Sequence, residues 1–136
     1  MKIDEVQMAD LAMAVVINNR LVLIQQRFRE SKGRVYEFPG GSIDENESPV
    51  SAAKRELGEE TGMHLDHVLD QFCFNNEYGE NIHFIILQSN DNSQPTATDP
   101  TREQQFYWFK AANIPLNDFY QADQLFIKEN LIRYID

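Results

Sequence analysis

The chain has 136 residues, 42% of them apolar, and a net charge of −10 from 22 acids against 12 lysines and arginines. Such a composition fits one globular domain over 1–136 and argues against disorder. The acidic balance speaks against a nucleic-acid polymer as partner, since phosphate backbones would be repelled, but allows a small phosphorylated ligand held through cations. No run of about 18 apolar residues occurs, so no membrane span is expected. The opening MKIDEVQMADLAMAVV mixes acids into its start, a poor signal peptide, which gives a cytoplasmic protein as the expectation. Cys73 has no second cysteine to pair with and reads as a strand residue.

In chain order, two apolar runs, Leu11 to Ile17 and Leu21 to Arg27, flank Asn18-Asn19-Arg20 and predict a β-hairpin. A loop from Glu30 to Arg34 leads to a short strand, Val35 to Phe38, which Pro39-Gly40-Gly41 stops as a turn. Ser48-Pro49 is a helix start, with serine as N-cap and proline at the first helical position. Ala52, Ala53 and Leu57 favour helix through Glu60, and Gly62 fits a glycine cap. Two strands follow, Val68 to Phe74 and Asn81 to Leu87. The long polar loop Ser89 to Glu103 is of the length that is often functional. A strand from Gln105 to Ala111 and an amphipathic helix from Asn117 to Ile135 complete the chain. Phe119, Leu125, Phe126, Leu131 and Ile132 are its candidate core residues. The sum is an α+β fold, a mixed sheet between helices.

The helix after Ser48 carries an unusual charge pattern. Successive residues turn by about 100°, so Glu56, Glu59 and Glu60 share one face. Carboxylates this close disfavour one another's ionisation. Divalent cations would remove that cost, and oxygen ligands suit Mg²⁺ or Mn²⁺ rather than Zn²⁺. His64, His67 and His83 show no ligand spacing with each other or with Cys73. The plain alternative is a solvated helix with i,i+4 pairs such as Arg55 to Glu59. A glycine pair just before the helix lets backbone pass close to a ligand.

Gly41 to Met63 matches G-x5-E-x7-R-E-U-x-E-E-x-G-U (U apolar) through Gly41, Glu47, Arg55, Glu56, Leu57, Glu59, Glu60, Gly62 and Met63. This stretch resembles the Nudix box, and the element order resembles the Nudix α/β/α sandwich. The resemblance implies a Mg²⁺- or Mn²⁺-dependent hydrolase that cleaves a nucleoside diphosphate linked to another group. It implies Glu56, Glu59 and Glu60 as metal ligands, with the Gly40 carbonyl as a further one. Arg55 would orient a glutamate of the box, while Gly41, Glu47 and Gly62 would support the loop–helix geometry. Glu103, a few residues before Trp108, stands where such enzymes often carry another metal ligand or the general base, with Glu59 as the rival base.

The upstream residues Gln26, Arg27, Arg29, Glu37, Ile43 and Asp44 resemble the ADP-ribose pyrophosphatase branch, so ADP-ribose or a nucleotide sugar is the favoured substrate. Arg27, Arg29 and Glu37 would then contact it. Two departures weigh against that branch: no proline follows the box at the usual distance, and no N-terminal dimerisation segment is present. Tyr36 in Tyr36-Glu37-Phe38-Pro39-Gly40-Gly41 also resembles the branch that cleans oxidised nucleoside triphosphates, which is the main alternative. A non-catalytic nucleotide-binding module is a third reading, against which the complete set of box acids speaks. The resemblance carries a homodimer as an option, and nothing in the sequence decides it.

Overall fold

This computed structural model describes residues 10–136. The stretch 1–9, on which the signal-peptide reading mainly rests, lies outside the described residues. β1 (Leu11–Asn18) and β2 (Leu21–Arg29) form the expected hairpin. Asn19 and Arg20 both take positive φ, 50° and 63°, as a tight two-residue hairpin turn demands. β3 (Gly33–Glu37) pairs antiparallel with β2.

The glycine pair is not a free turn. Gly40–Ser42 is a short strand, β4, antiparallel to Leu11, Ala12 and Met13 of β1. Contact explains it: a Cβ on Gly40 would stand 2.4 Å from the Ala12 carbonyl oxygen, so only glycine lets the two backbones lie this close.

α1 (Pro49–Thr61) has the ends its residues dictate. The Ser48 hydroxyl accepts from the Ser51 N–H at 3.1 Å, and Gly62 closes the helix at φ 75°. β5 (Val68–Asn75), β6 (Asn81–Gln88) and β7 (Gln104–Phe109) follow as expected to within a residue or two, and 89–103 carries no helix or strand.

The C-terminal segment departs from expectation. Short 3₁₀ turns at Ala111–Asn113 and Leu116–Asp118 precede α2 (Gln121–Phe126), a π-turn (Ile127–Leu131) and α3 (Ile132–Ile135). Phe119, Phe126 and Leu131 are buried and Ile132 packs against them, but Leu125 is 41% exposed. Phe126 takes the inward place by stacking on Phe84, with ring centroids 4.1 Å apart. The neighbouring residue on a helix is turned away by about 100°, which leaves Leu125 outside. The wider π-turn then brings Ile127 and Leu131 both inward.

The sheet runs β3-β2-β1-β6-β5, with β4 also beside β1 and β7 beside β2. Among the described strands only β1 and β6 pair in parallel, so the sheet is mixed. The strands alternate between two cores. Ala12, Ala14, Val16, Leu23, Ile85 and Leu87 pack under Ala52, Ala53 and Leu57 of α1. Val15, Ile17, Val22, Ile24, Phe84 and Ile86 pack under the C-terminal helices. This is the α/β/α arrangement. β1 and β2 pair only next to their turn, at Ile17↔Val22 and Asn18↔Leu21, and then diverge. β4 takes over beside β1, and β7 and β3 flank β2. The fork so opened positions the site.

Core placement gives a paired test. Phe126→Ala should cost about 3–5 kcal/mol of unfolding free energy, as for other large-to-small core changes. Leu125→Ala should stay within about 0.5 kcal/mol, as for a surface change. Urea unfolding measures both, and a large loss at Leu125 would contradict the observed helix phase.

Candidate active site

α1 delivers its acids to the fork. Glu60 is 5% exposed and bridges the diverging strands: Gln25 Nε2 of β2 donates to Glu60 Oε1 at 3.1 Å, and the Gly40 N–H of β4 donates to Oε2 at 3.2 Å. Gln104 Nε2 of β7 donates to Gln25 Oε1 at 2.6 Å and so fixes the Gln25 amide. Burial pushes the Glu60 carboxyl up to about 7, and the neighbouring Glu56 carboxylate adds to the effect. Gly41 leaves the Glu56 carboxylate its place, because a Cβ there would meet that carboxylate at 2.8 Å and push it aside.

Arg55 ties the motif together. Nε and Nη2 donate to the two Glu47 oxygens at 2.9 and 3.0 Å, a bidentate pair. Nη1 donates to Glu56 Oε1 at 2.9 Å and Glu59 Oε1 at 3.2 Å, and Nη2 also reaches the Ser42 carbonyl at 3.0 Å. The Glu47 bonds, then those from Glu56 and Glu59, hold the guanidinium above its ordinary pKa. The same pairing holds the Glu47 carboxyl below the usual carboxylate range.

Beyond these acids lies an open polar groove of about 400 Å³, with Glu56, Glu59 and Glu60 on one side and Thr98, Asp99, Pro100 and Arg102 on the other. The donor set fits a hard divalent cation: three carboxylates, one of them buried and drawn toward its neutral form where a cation would favour the charged one. As the side chains stand, no three His, Cys, Asp or Glu groups among the described residues converge on a common point. Arg55 accounts for that, because it holds Glu56 and Glu59 to itself.

A second cleft, of about 300 Å³, adjoins Gly40 and Gly41 from the C-terminal side of the sheet. Leu11, Met13, Phe38 and Ile82 give it an apolar wall, and Tyr78, Tyr120, Glu37 and Asp123 line it as well. Asp123 is buried, and burial, followed by the charge of Glu37, raises its carboxyl to about 8. Arg29 donates from Nε and Nη2 to both Glu37 oxygens at 3.2 and 2.9 Å. Arg27 stands 3.9 Å from Glu37.

The structure therefore brings Gly40, Gly41, Glu47, Arg55, Glu56, Glu59 and Glu60 into one site, with Gly62 ending the helix that carries it. Arg29 and Glu37 sit in the adjoining cleft, bonded to each other. Glu103 is not brought to the acids: it is exposed, with Oε2 3.8 Å from Arg34 Nη2. Sequence reasoning passed over Gln25, Asp123 and Arg102. Gln25 is a polar residue ending an apolar strand run, and Asp123 falls on the same helical stripe as Phe119 and Phe126, so each left a readable signal. Arg102 left none.

The chain is thus a mixed sheet between helices, with an acidic helix facing a close-packed glycine strand. The NUDIX domain family model matches residues 8–129, and the chain belongs to that family. An RNA pyrophosphohydrolase from Bartonella bacilliformis is 42% identical over 64 residues, 44% of this chain and 37% of that protein. An 8-oxo-dGTP diphosphatase from Proteus vulgaris is 39% identical over 46 residues, 34% of this chain and 41% of that protein. These alignments thus span less than half the length of either relative. In fold, the chain resembles the MutT structure described for Aliivibrio salmonicida and Vibrio cholerae, with TM-score 0.67, 24% identity, and 92% and 96% of the two chains covered. It also resembles a bifunctional NMN adenylyltransferase/ADP ribose pyrophosphatase from Francisella tularensis complexed with AMP and Mn ion, with TM-score 0.72 and 22% identity, over 94% of this chain and 42% of that one.

Asp123 generates a test through stability. Its folded-state pKa lies above the unfolded value, so between about pH 4 and pH 8 the native state binds more protons than the unfolded chain. That contribution to stability is present at low pH and is lost as pH rises toward 8. Asp123→Asn should therefore gain on wild type steadily from pH 5 to about pH 8 and level off above it in urea unfolding. Parallel stability curves would contradict the assignment.

Proposed function

We propose that the protein is a Mg²⁺- or Mn²⁺-dependent pyrophosphohydrolase acting on a nucleoside triphosphate, with the nucleobase in the cleft beside Asp123 and the phosphates crossing Gly40–Gly41 into the acidic groove. One observation carries this reading: a mostly apolar cleft with two buried acids is lined by Gly40 and Gly41, and the mainly polar groove beside it is walled by Glu56 and Glu60, which lie against those same glycines. The cleft has the size of a small-ligand site. A neutral carboxyl at Asp123 can both donate and accept, which suits the edge of a base. The groove offers carboxylates, a threonine and an arginine, with Pro100 as its apolar lining and no aromatic residue to stack on a second ring.

Glu56, Glu59 and Glu60, with the Gly40 carbonyl, would hold the cation. When bound, it supplies charge neutralisation and Lewis acidity at the phosphate oxygens. The remaining work belongs to the chain. Arg55 orients Glu56 and Glu59, Glu47 fixes Arg55, and Gly41 leaves room for the Glu56 carboxylate. Glu59, which lines the groove and is more than half exposed, takes the proton of the attacking water. It is preferred to Glu103, which faces Arg34. Arg27, half-buried beside the acids, would pair with a phosphate.

ADP-ribose or a nucleotide sugar remains the second reading, supported by Arg29 and Glu37 at the cleft. Their bidentate bond occupies both, which lowers its rank.

Two measurements test the proposal. Activity should vanish with EDTA and return with Mg²⁺ or Mn²⁺, and Glu59→Gln and Glu60→Gln should each lower kcat by on the order of 10²-fold. Near-normal turnover in both variants at saturating Mg²⁺ would remove the ligand and base roles. In a substrate panel, nucleoside triphosphates, the oxidised guanine form included, should exceed ADP-ribose in kcat/KM. The reverse order would return the protein to the nucleotide-sugar reading.

A further inference from the structure

We propose that Arg102 is a phosphate-binding residue of this groove, contacting the terminal phosphates of the substrate from the side opposite α1. The inference rests on the pyrophosphohydrolase reading and names the residue that receives the phosphate chain.

The loop that carries Arg102 is built onto the acidic helix. The Thr96 N–H donates to the Thr61 carbonyl at 2.8 Å, and the Thr98 hydroxyl donates to the Glu59 carbonyl. The loop then reverses: Asp99 Oδ1 accepts from the Thr101 N–H at 2.9 Å and the Thr101 hydroxyl at 2.6 Å, and the Arg102 N–H donates to the Asp99 carbonyl at 3.1 Å. Two anchors on α1 and one closed turn thus set Arg102 against the groove that holds Glu56, Glu59 and Glu60.

Chemistry gives that placement its meaning. An arginine facing three carboxylates would be expected to pair with them. Arg55 takes Glu56 and Glu59 instead, and Gln25 and the Gly40 N–H take Glu60. The ion pair of Arg102 among the described residues is with Asp99, through Nε at 3.5 Å, next to it in the same turn. A guanidinium has five N–H donors in a planar fork, so the Nη side is left for a ligand whose geometry matches it, as phosphate oxygens do. Arg27 is held below its ordinary pKa, first by burial and then by the charge of Arg29, with a smaller push from Arg102, while Glu37 and Glu60 act the other way. Arg102 therefore lies within electrostatic reach of Arg27 and, across the groove, of Glu60.

The plain reading of Arg102 is a surface arginine stabilising its own turn through Asp99. A binding experiment separates the two. Inorganic pyrophosphate with Mg²⁺ is titrated calorimetrically into the whole chain as wild type, Arg102→Gln, Arg102→Lys and, as a remote control, Arg133→Gln. Wild type and Arg133→Gln should bind alike. Arg102→Gln should weaken binding by on the order of tenfold to a hundredfold, the scale of one hydrogen-bonded charge contact, and raise KM for the triphosphate in step. Arg102→Lys keeps the charge without the fork and should recover part of the loss. Unchanged thermal midpoints would mark the effect as binding rather than folding. If both Arg102 variants bind pyrophosphate as wild type does while wild type still hydrolyses triphosphates, the proposal is overturned and the functional reading stands. If wild type neither binds pyrophosphate nor hydrolyses any triphosphate, the functional reading falls and takes the proposal with it.

Discussion

Three glutamates on one turn of helix repel each other, and the surrounding structure is arranged to contain that repulsion. Arg55 spreads its guanidinium over Glu47, Glu56 and Glu59, while Glu60 is buried and drawn toward its neutral form. Each device ties a different piece of chain to α1. Glu47 belongs to the loop before the helix, and Ser42 of β4 adds its carbonyl to Arg55. Glu60 reaches β2 through Gln25 and β4 through Gly40. The charge problem thereby becomes a set of tertiary contacts that fix the helix against the fork between β1 and β2.

That fork also explains why two compartments of opposite character meet. β1 and β2 part after their first pairs, and β4 enters with Gly40, which permits an approach to β1 that no side chain would allow. On the α1 side the acids and the Thr98–Arg102 turn leave a polar groove. On the other side Met13, Phe38 and the α2 segment enclose a mostly apolar cleft with two buried acids, Glu37 and Asp123. A substrate with an aromatic end and a phosphate end could use both while crossing only the glycine strand.

Local chemistry was legible in the sequence, and long-range placement was not. Ser48, Pro49 and Gly62 marked the ends of α1 because capping and positive φ are properties of single residues. The common face of Glu56, Glu59 and Glu60 followed from helical period alone. Gly40-Gly41 read as a turn because nothing local reveals that β1 will lie against it. Leu125 read as core because an ideal helix places it there, whereas the stack of Phe126 on Phe84 and the π-turn set another phase. The direction of Glu103 and Arg102 depends on where the Thr96 and Thr98 anchors hold a loop without periodicity. Gln25 and Asp123 were visible as polar residues at apolar positions, and such positions mark where a buried polar group has a partner or a purpose.

The central claim is that this acid cluster is a cation site kept quiet by Arg55 and by a proton near Glu60. Mn²⁺ titrated into the metal-free protein at neutral pH, followed by electron paramagnetic resonance of the free ion and by proton release in weak buffer, tests it most directly. The expected result is saturable Mn²⁺ uptake with proton release, both diminished in Glu60→Gln. Mn²⁺ that stays free in solution, or uptake unchanged in Glu60→Gln and Glu56→Gln, would contradict it.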